Sequence, residues 1–364
     1  MGEPVLRRTL SGRAMVPAHA DTSRFHSSLA SVLSLCGVVS LLLLATAPMA
    51  VQAAADIQTR YSIESAKAVS SLLLDITRAG DRLVVAGDRG HILYSDDAGR
   101  SWTQAKVPTR QLLTAIAFAD DKHGWAVGHD ALVLATTDGG ENWTVQYEER
   151  EREAPLLDVW FEDDRHGIAV GAYGALIETT DGGKTWDDIS DRLDNEDGFH
   201  LNAIAPIEGA GLFIVGEMGS LFRSADLGQS WERVESPYQG SFFGVVGGAE
   251  PGVVLAFGLR GHLFRSTDFG DSWDSIELSN GNGHALESGL ADGSLLRDGR
   301  IVVVGHGGAV LTSSDQGRSF ELYNRPDRRS LSGVSSDSEG NLILVGQGGV
   351  RIASPSGADL APRQ

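Results

Sequence analysis

GIAVGAYGALIETTDGGKTW, residues 167–186, decides the fold. It reads as an apolar run, a Gly-x-x-Gly turn, a second apolar run and an eight-residue box, TTDGGKTW. Near-copies of the box recur as SDDAGRSW (95–102), TTDGGENW (136–143), SADLGQSW (224–231), STDFGDSW (266–273) and SSDQGRSF (313–320). A further stretch, LILVGQGGVRIASPSG from Leu342, keeps the run and the turn but loses the box. The first turn glycines are Gly87, Gly128, Gly171, Gly216, Gly258, Gly305 and Gly346, spaced 41, 43, 45, 42, 47 and 41 residues apart. Seven units of that length, each a set of short strands with turns between, predict an all-β, seven-bladed β-propeller with four-stranded blades.

One unit parses completely. LLDVWF (156–161) is the inner strand, GIAVG (167–171) the second, ALIETT (175–180) the third, and an outer strand starts near Trp186. The box then needs no chemistry. Its aspartate can accept amide hydrogen bonds from its own turn, its glycine can take a positive φ, and its tryptophan supplies bulk between sheets. Asp97, Asp138, Asp181, Asp226, Asp268 and Asp315, with Trp102, Trp143, Trp186, Trp231, Trp273 and Phe320, are therefore structural. The alternating acidic positions of a calcium loop are absent. Because the seventh unit stops near Ser354, an N-terminal strand around residues 60–68 is expected to complete the last blade and close the ring.

Residues 29–50 carry no charge, Arg24 precedes them, and small residues follow at Val51 and Ala53. Residues 1–53 read as an export signal cleaved after Ala53, with an uncleaved membrane anchor as the alternative. The propeller occupies 54–364, with its core at about 58–354. Cys36 is the only cysteine, and it lies inside the signal, so the mature chain has no thiol for a disulfide, a nucleophile or a metal. The whole chain carries a formal charge of −19. Residues 1–53 hold four arginines against two acids, which leaves −21 on the remainder. So acidic a surface argues against nucleic-acid binding.

The boxes resemble the Asp-box (BNR) repeats of sialidases and of several non-enzymatic propellers. The full unit, with its Gly-x-x-Gly turn, more closely resembles the photosystem II stability and assembly factor family and its relatives in non-photosynthetic bacteria. That resemblance spans roughly residues 58–354. It implies a non-catalytic propeller that binds a protein, a membrane-embedded complex or its subunit, from the periplasmic or lumenal side. It also implies an arginine-bearing docking patch. The alternative is a sialidase-like or other Asp-box glycoside hydrolase, or a carbohydrate-binding module.

Strand alternation puts the Gly-x-x-Gly turns and blade connectors on one face, away from the boxes. Side chains between the two glycines differ in every copy, so the scaffold leaves them free. Arg89, Arg110, His129, Tyr173, Glu217, Arg260, His306 and Arg329 are the candidate partner-binding residues. Tyr173 and Glu217, on adjacent turns, are the most enzyme-like pair. Yet the Phe-Arg-Ile-Pro signature of sialidases is missing: Phe222-Arg223 and Phe264-Arg265 run straight into boxes. No catalytic residue, metal site or cofactor is assigned, and a monomer is expected.

Overall fold

A computed structural model describes residues 60–360 except 280–282 and 284. The expected export signal lies outside these residues. Among them no helix is long and apolar enough to cross a membrane. The chain forms seven antiparallel sheets in sequence order. Blade three has its inner strand at Leu156–Phe161, then Gly167–Gly171, Leu176–Thr179 and an outer strand at Asp187–Asp188. Inner strands neighbour one another around the ring, with Leu331–Ser336 of blade seven returning to Leu73–Ala79 of blade one.

Burial follows from that arrangement. Second strands such as GIAVG and IVVVG (301–305) are buried on both faces, because a sheet flanks them on either side. Outer strands such as Glu232–Arg233 are exposed. The core is a set of inter-blade layers, one of which joins Val84 and Ala86 of blade one to Leu132 and Leu134 of blade two.

Each turn's first glycine is dictated by a close backbone approach. A Cβ on Gly128 would stand 2.2 Å from the Leu112 carbonyl oxygen, and one on Gly216 would stand 2.3 Å from that of His200. The same carbonyls accept the next amide along: His129 N donates to Leu112 O at 3.1 Å and Glu217 N to His200 O at 3.0 Å. This repeats in all seven blades, from Asp88 N to Leu72 O through Gln347 N to Ser330 O. The approach produces a register shift in the inner strand of each blade.

The boxes do what their sequence predicts. Asp181 Oδ1 accepts from the Thr185 amide at 3.0 Å and Oδ2 from the Thr185 hydroxyl at 2.9 Å, while Thr179 Oγ1 accepts from Gly183 N at 2.8 Å. Gly183 has φ +81°. The Ser101 hydroxyl and amide, with Ser95, hold Asp97 down at about 2. Burial works to raise Asp315, but hydrogen bonds from Ser319 and Ser313 hold it at about 2. The box also cements neighbours: Gly140 lies against Val84, Gly228 against Ile168 and Gly317 against Leu255, each in the preceding blade. Trp102 and Trp143 donate their indole N–H to Gly99 O and Gly140 O, each at 3.0 Å. Asp268→Ala, which strips the Ser272 amide and hydroxyl of their acceptor, should lower the thermal midpoint by about 3 °C. A midpoint unchanged within error would refute this role.

Ring closure differs from expectation. Blade seven has three strands, and the described N-terminal residues do not supply a fourth. Residues 61–65 run instead along the outer edge of blade one. Ser62 N donates to Val107 O at 2.9 Å, Gln104 binds Ser62, Ile63 and Ser65, and Arg110 Nε donates to Tyr61 O at 2.8 Å. The outer flank of blade seven is met by the chain's own C-terminal return, which bridges Ala353 to Asp359. Arg325, buried beneath it, binds Gly357 O at 2.7 Å and pairs with Asp359. The ring closes by side-chain packing of Ile343 and Val345 on Leu73, Leu83 and Val85.

A second feature was not read from the sequence. At the bulge of each inner strand, blades one, three and six place Asp75, Asp158 and Asp292. Each carboxylate accepts an amide of the following blade: Ile116 N at 2.7 Å, Ile204 N at 2.9 Å and Val334 N at 3.2 Å. Blades two, four and seven have Ala115, Ala203 and Gly333 there, and the residue before each donates onward. Thr114 Oγ1 donates to Leu156 O at 2.6 Å, Asn202 Nδ2 to Phe242 O and Ser332 Oγ to Leu73 O, both at 2.7 Å. Side chains thus stitch six junctions. Blade five offers Phe243 and Gly244, which have no polar side-chain atom to give.

Candidate functional site

The turns and connectors do share a face. A Cβ on Gly90 would meet Thr109 O at 2.3 Å and Arg110 Cα at 3.3 Å; Gly219 and Gly261 sit likewise on the Tyr238 and Leu286 carbonyls. The turns of blades one to six thus rest on the connectors leaving those blades and the blade-seven turn on Val69 ahead of blade one, and their side chains form one rim.

The third residue of each Gly-x-x-Gly turn is left-handed. Its φ is 58° at Arg89, 61° at Asp130, 57° at Tyr173, 53° at Met218, 58° at Arg260, 67° at Gly307 and 86° at Gly348. An L-residue with a Cβ pays about 1–2 kcal/mol for this conformation, and glycine pays little. Blades six and seven use glycine. Blades one, three, four and five instead hold arginine, tyrosine, methionine and arginine, with Tyr173 67% and Met218 56% exposed. Neither is recovering that cost by burial.

Blades seven and one carry cations. Arg329 Nη1 and Arg351 Nη2 both crowd Gly348, at 2.2 and 2.9 Å from where its Cβ would be, so the glycine leaves room for two guanidiniums. Asp327 lies 3.5 Å from Arg351 Nε. Arg89 is exposed and meets Asp88 at 3.4 Å. Arg110 stands beside the same turn and is also tied to Tyr61, which gives it a structural duty. Arg260 is exposed on blade five, away from this group; the structure does not join it to Arg89 and Arg110. Arg351 was missed, because nothing in its local sequence marks a third-strand arginine as reaching back over a turn.

Blades three and four bring Tyr173 and Glu217 onto one residue, His200. The tyrosine ring meets the imidazole edge-on at 5.0 Å, the His200 amide donates to Glu217 Oε2 at 3.3 Å, and Nδ1 is 3.7 Å from Oε1. His129 and His306 are exposed on blades two and six. The phenylalanine-linked arginines act as clips between blades on the box side. Arg223 binds Glu232, Asp271 and Phe269 O, and Arg265 donates to Gln316 O. Among the described residues no three His, Cys, Asp or Glu side chains converge as metal ligands would.

Seven blades, six of them with an Asp box, and glycine-pinned turns define a BNR-type propeller. The family model described as "Photosynthesis system II assembly factor YCF48" matches residues 94–155 and 148–240. The chloroplastic photosystem II stability/assembly factor HCF136 of Cyanidioschyzon merolae is 46% identical over 61 residues, 16% of this chain and 14% of its own. The photosystem II assembly protein Ycf48 of a Synechococcus is 36% identical over 146 residues, 37% of this chain and 41% of its own. The alignments thus span well under half of either relative. A solved structure of YCF48 bound to a D1 peptide superposes with a TM-score of 0.61 at 17% identity, covering 79% of this chain and 94% of that one, a likeness of fold. Across residues 94–240 the chain is similar to the photosystem II assembly factor family of Asp-box propellers.

Proposed function

We propose that this chain is an exported, non-catalytic assembly or stability factor that holds a segment of a membrane-complex subunit on its turn-and-connector face. The observation that carries the reading is the set of arginines on neighbouring blades seven and one, where Arg329 and Arg351 share the space above Gly348 and Arg89 is exposed on the blade-one turn. Guanidiniums gathered on a chain of net charge −19 are suited to a carboxylate-bearing segment. The likeness to the photosystem II assembly factors supports a protein as the partner. In a phototroph the complex would be photosystem II, and elsewhere another envelope complex. The clip roles of Arg223 and Arg265 support the non-catalytic reading, since they are held away from the rim.

The test is affinity capture from detergent-solubilised membranes of the source organism, with the captured subunit identified and then titrated as purified protein. Arg89→Ala/Arg329→Ala/Arg351→Ala should weaken its binding by about tenfold or more. Lys184→Ala, on the box side, should leave it unchanged. Equal binding by the wild type and the triple variant would defeat the proposal, as would hydrolysis of a glycoside panel abolished by Glu217→Gln.

A further inference from the structure

Across the ring from the arginines, the rim of blades three to five has a different character. Tyr173, Met218 and Leu259 are three of the large apolar side chains that the fold leaves exposed, and they occupy consecutive turns. Two of them sit at left-handed positions where blades six and seven carry glycine. Beside Met218 a hollow of about 340 Å³ opens, lined by Val234, Glu235, Ser236 and Gln239 together with Arg233. The surroundings are acidic. Asp194, Glu196 and Asp197 are exposed on the connector behind the Tyr173 turn, Glu235 is exposed on the next connector, and Glu217 stands between. Against these five acids the arc has Arg233 and Arg260.

We infer that this arc is a second docking site, which takes an extended peptide segment bearing an aliphatic or aromatic side chain flanked by lysine or arginine. The apolar side chain enters the hollow beside Met218, the segment runs on over Tyr173 and Leu259 on the flanking turns, and its cations face the connector acids. The occupant's charge follows from complementarity: a carboxylate-bearing segment would be repelled here and attracted at blades seven and one. Extended backbone suits a rim whose anchors are spaced one per blade. Aliphatic Met218 and Leu259 favour a peptide over a sugar, which would call for flat aromatic platforms and hydrogen-bonding pairs. This inference rests on the reading of the turn-and-connector face as a partner surface and adds a separate subsite to it.

The test is selection of a phage-displayed library of random twelve-residue peptides on the immobilised wild-type protein, followed by titration of the enriched peptides. The expected consensus is a hydrophobic residue flanked by Lys or Arg. Tyr173→Gly/Met218→Gly should weaken binding about tenfold or more. Its thermal midpoint should stay level or rise, since glycine relieves the left-handed backbone and folding is preserved. Glu217→Gln/Glu235→Gln should weaken lysine-containing peptides more than their norleucine-substituted counterparts. The arginine triple variant should bind the selected peptides normally, so the subsite can stand where the arginine reading fails, and the reverse. An absence of enrichment, an acidic consensus, or binding indifferent to the Tyr173/Met218 change would overturn the inference. So would glycan-array binding that the same change abolishes.

Discussion

Gly128→Ala should destabilise the propeller by about 3 kcal/mol or more and lower its thermal midpoint by roughly 6 °C. The alanine Cβ would sit 2.2 Å from the Leu112 carbonyl oxygen and 3.1 Å from Leu113 Cα, both backbone atoms that no rotamer change can move. Relief requires blade two's inner and second strands to separate, which breaks the His129 N to Leu112 O bond and disturbs the packing of Leu113 and Val127 on their neighbouring layers. The φ of Gly128 is −175°, so the effect is steric crowding and owes nothing to backbone preference. Gly299→Ala is the matched control. Its φ is +85° and nothing lies within 4 Å of a built Cβ, so it should cost only about 1 kcal/mol. Calorimetry of the two variants decides the point, and equal losses would show that close approach is not why these glycines are present.

The second large effect is a stability that falls as pH rises through neutrality. Burial pushes Asp75 up to about 6 and Asp158 to about 7, the latter helped by the charge on Asp75; Asp292 is raised well above its ordinary value by burial and then by the Asp75 and Asp158 charges. With folded values above the unfolded 3.8, the folded state holds more protons than the unfolded one between about pH 4 and 7. The contribution of Asp75 and Asp158 is complete below pH 4 and is lost as pH rises through 6 to 7, and that of Asp292 is lost in the same direction. Each unit separating folded and unfolded values is worth about 1.4 kcal/mol, so Asp158 alone brings a fall of several kcal/mol. The box aspartates act oppositely: with Asp97 and Asp315 near 2, their contribution disappears as pH drops below 4. The midpoint should peak at mildly acidic pH. Asp158→Asn should flatten the decline between pH 5 and 8 while lowering stability throughout, because one amide loses its acceptor. An unchanged slope in Asp158→Asn would refute the assignment.

Much of the fold was legible because propeller blades are local. Every strand in a blade pairs with its sequence neighbour, so the repeat spacing, the glycines and the box aspartates carry their meaning within about 45 residues. The box at 179–186 and the strands of blade three fall where their sequence places them. Ring closure was misread for the opposite reason. Closure depends on contacts between the first and last blades, such as Ser332 with Leu73, 259 positions away, and Ile343 and Val345 with Leu83 and Val85, which no repeat spacing encodes. The Asp75, Asp158 and Asp292 stitches were invisible because their role depends on a register shift that turns one residue of each inner strand toward the next blade.

The candidate site divides along the same line. Arg89, Tyr173 and Glu217 could be chosen from the sequence, since they vary between a first glycine present in every blade and a fourth residue that is glycine in all but blade two. Arg351 and His200 could not, because one reaches its place from a third strand and the other from a connector. Sequence by itself determined the blade count, the turns and the structural standing of the boxes, since each is written in short-range spacing. Only the tertiary structure decided which rim residues lie together, with cations on blades seven and one and apolar groups on three to five. Neighbourhood around a ring is fixed by closure, and closure brings the first and last blades side by side.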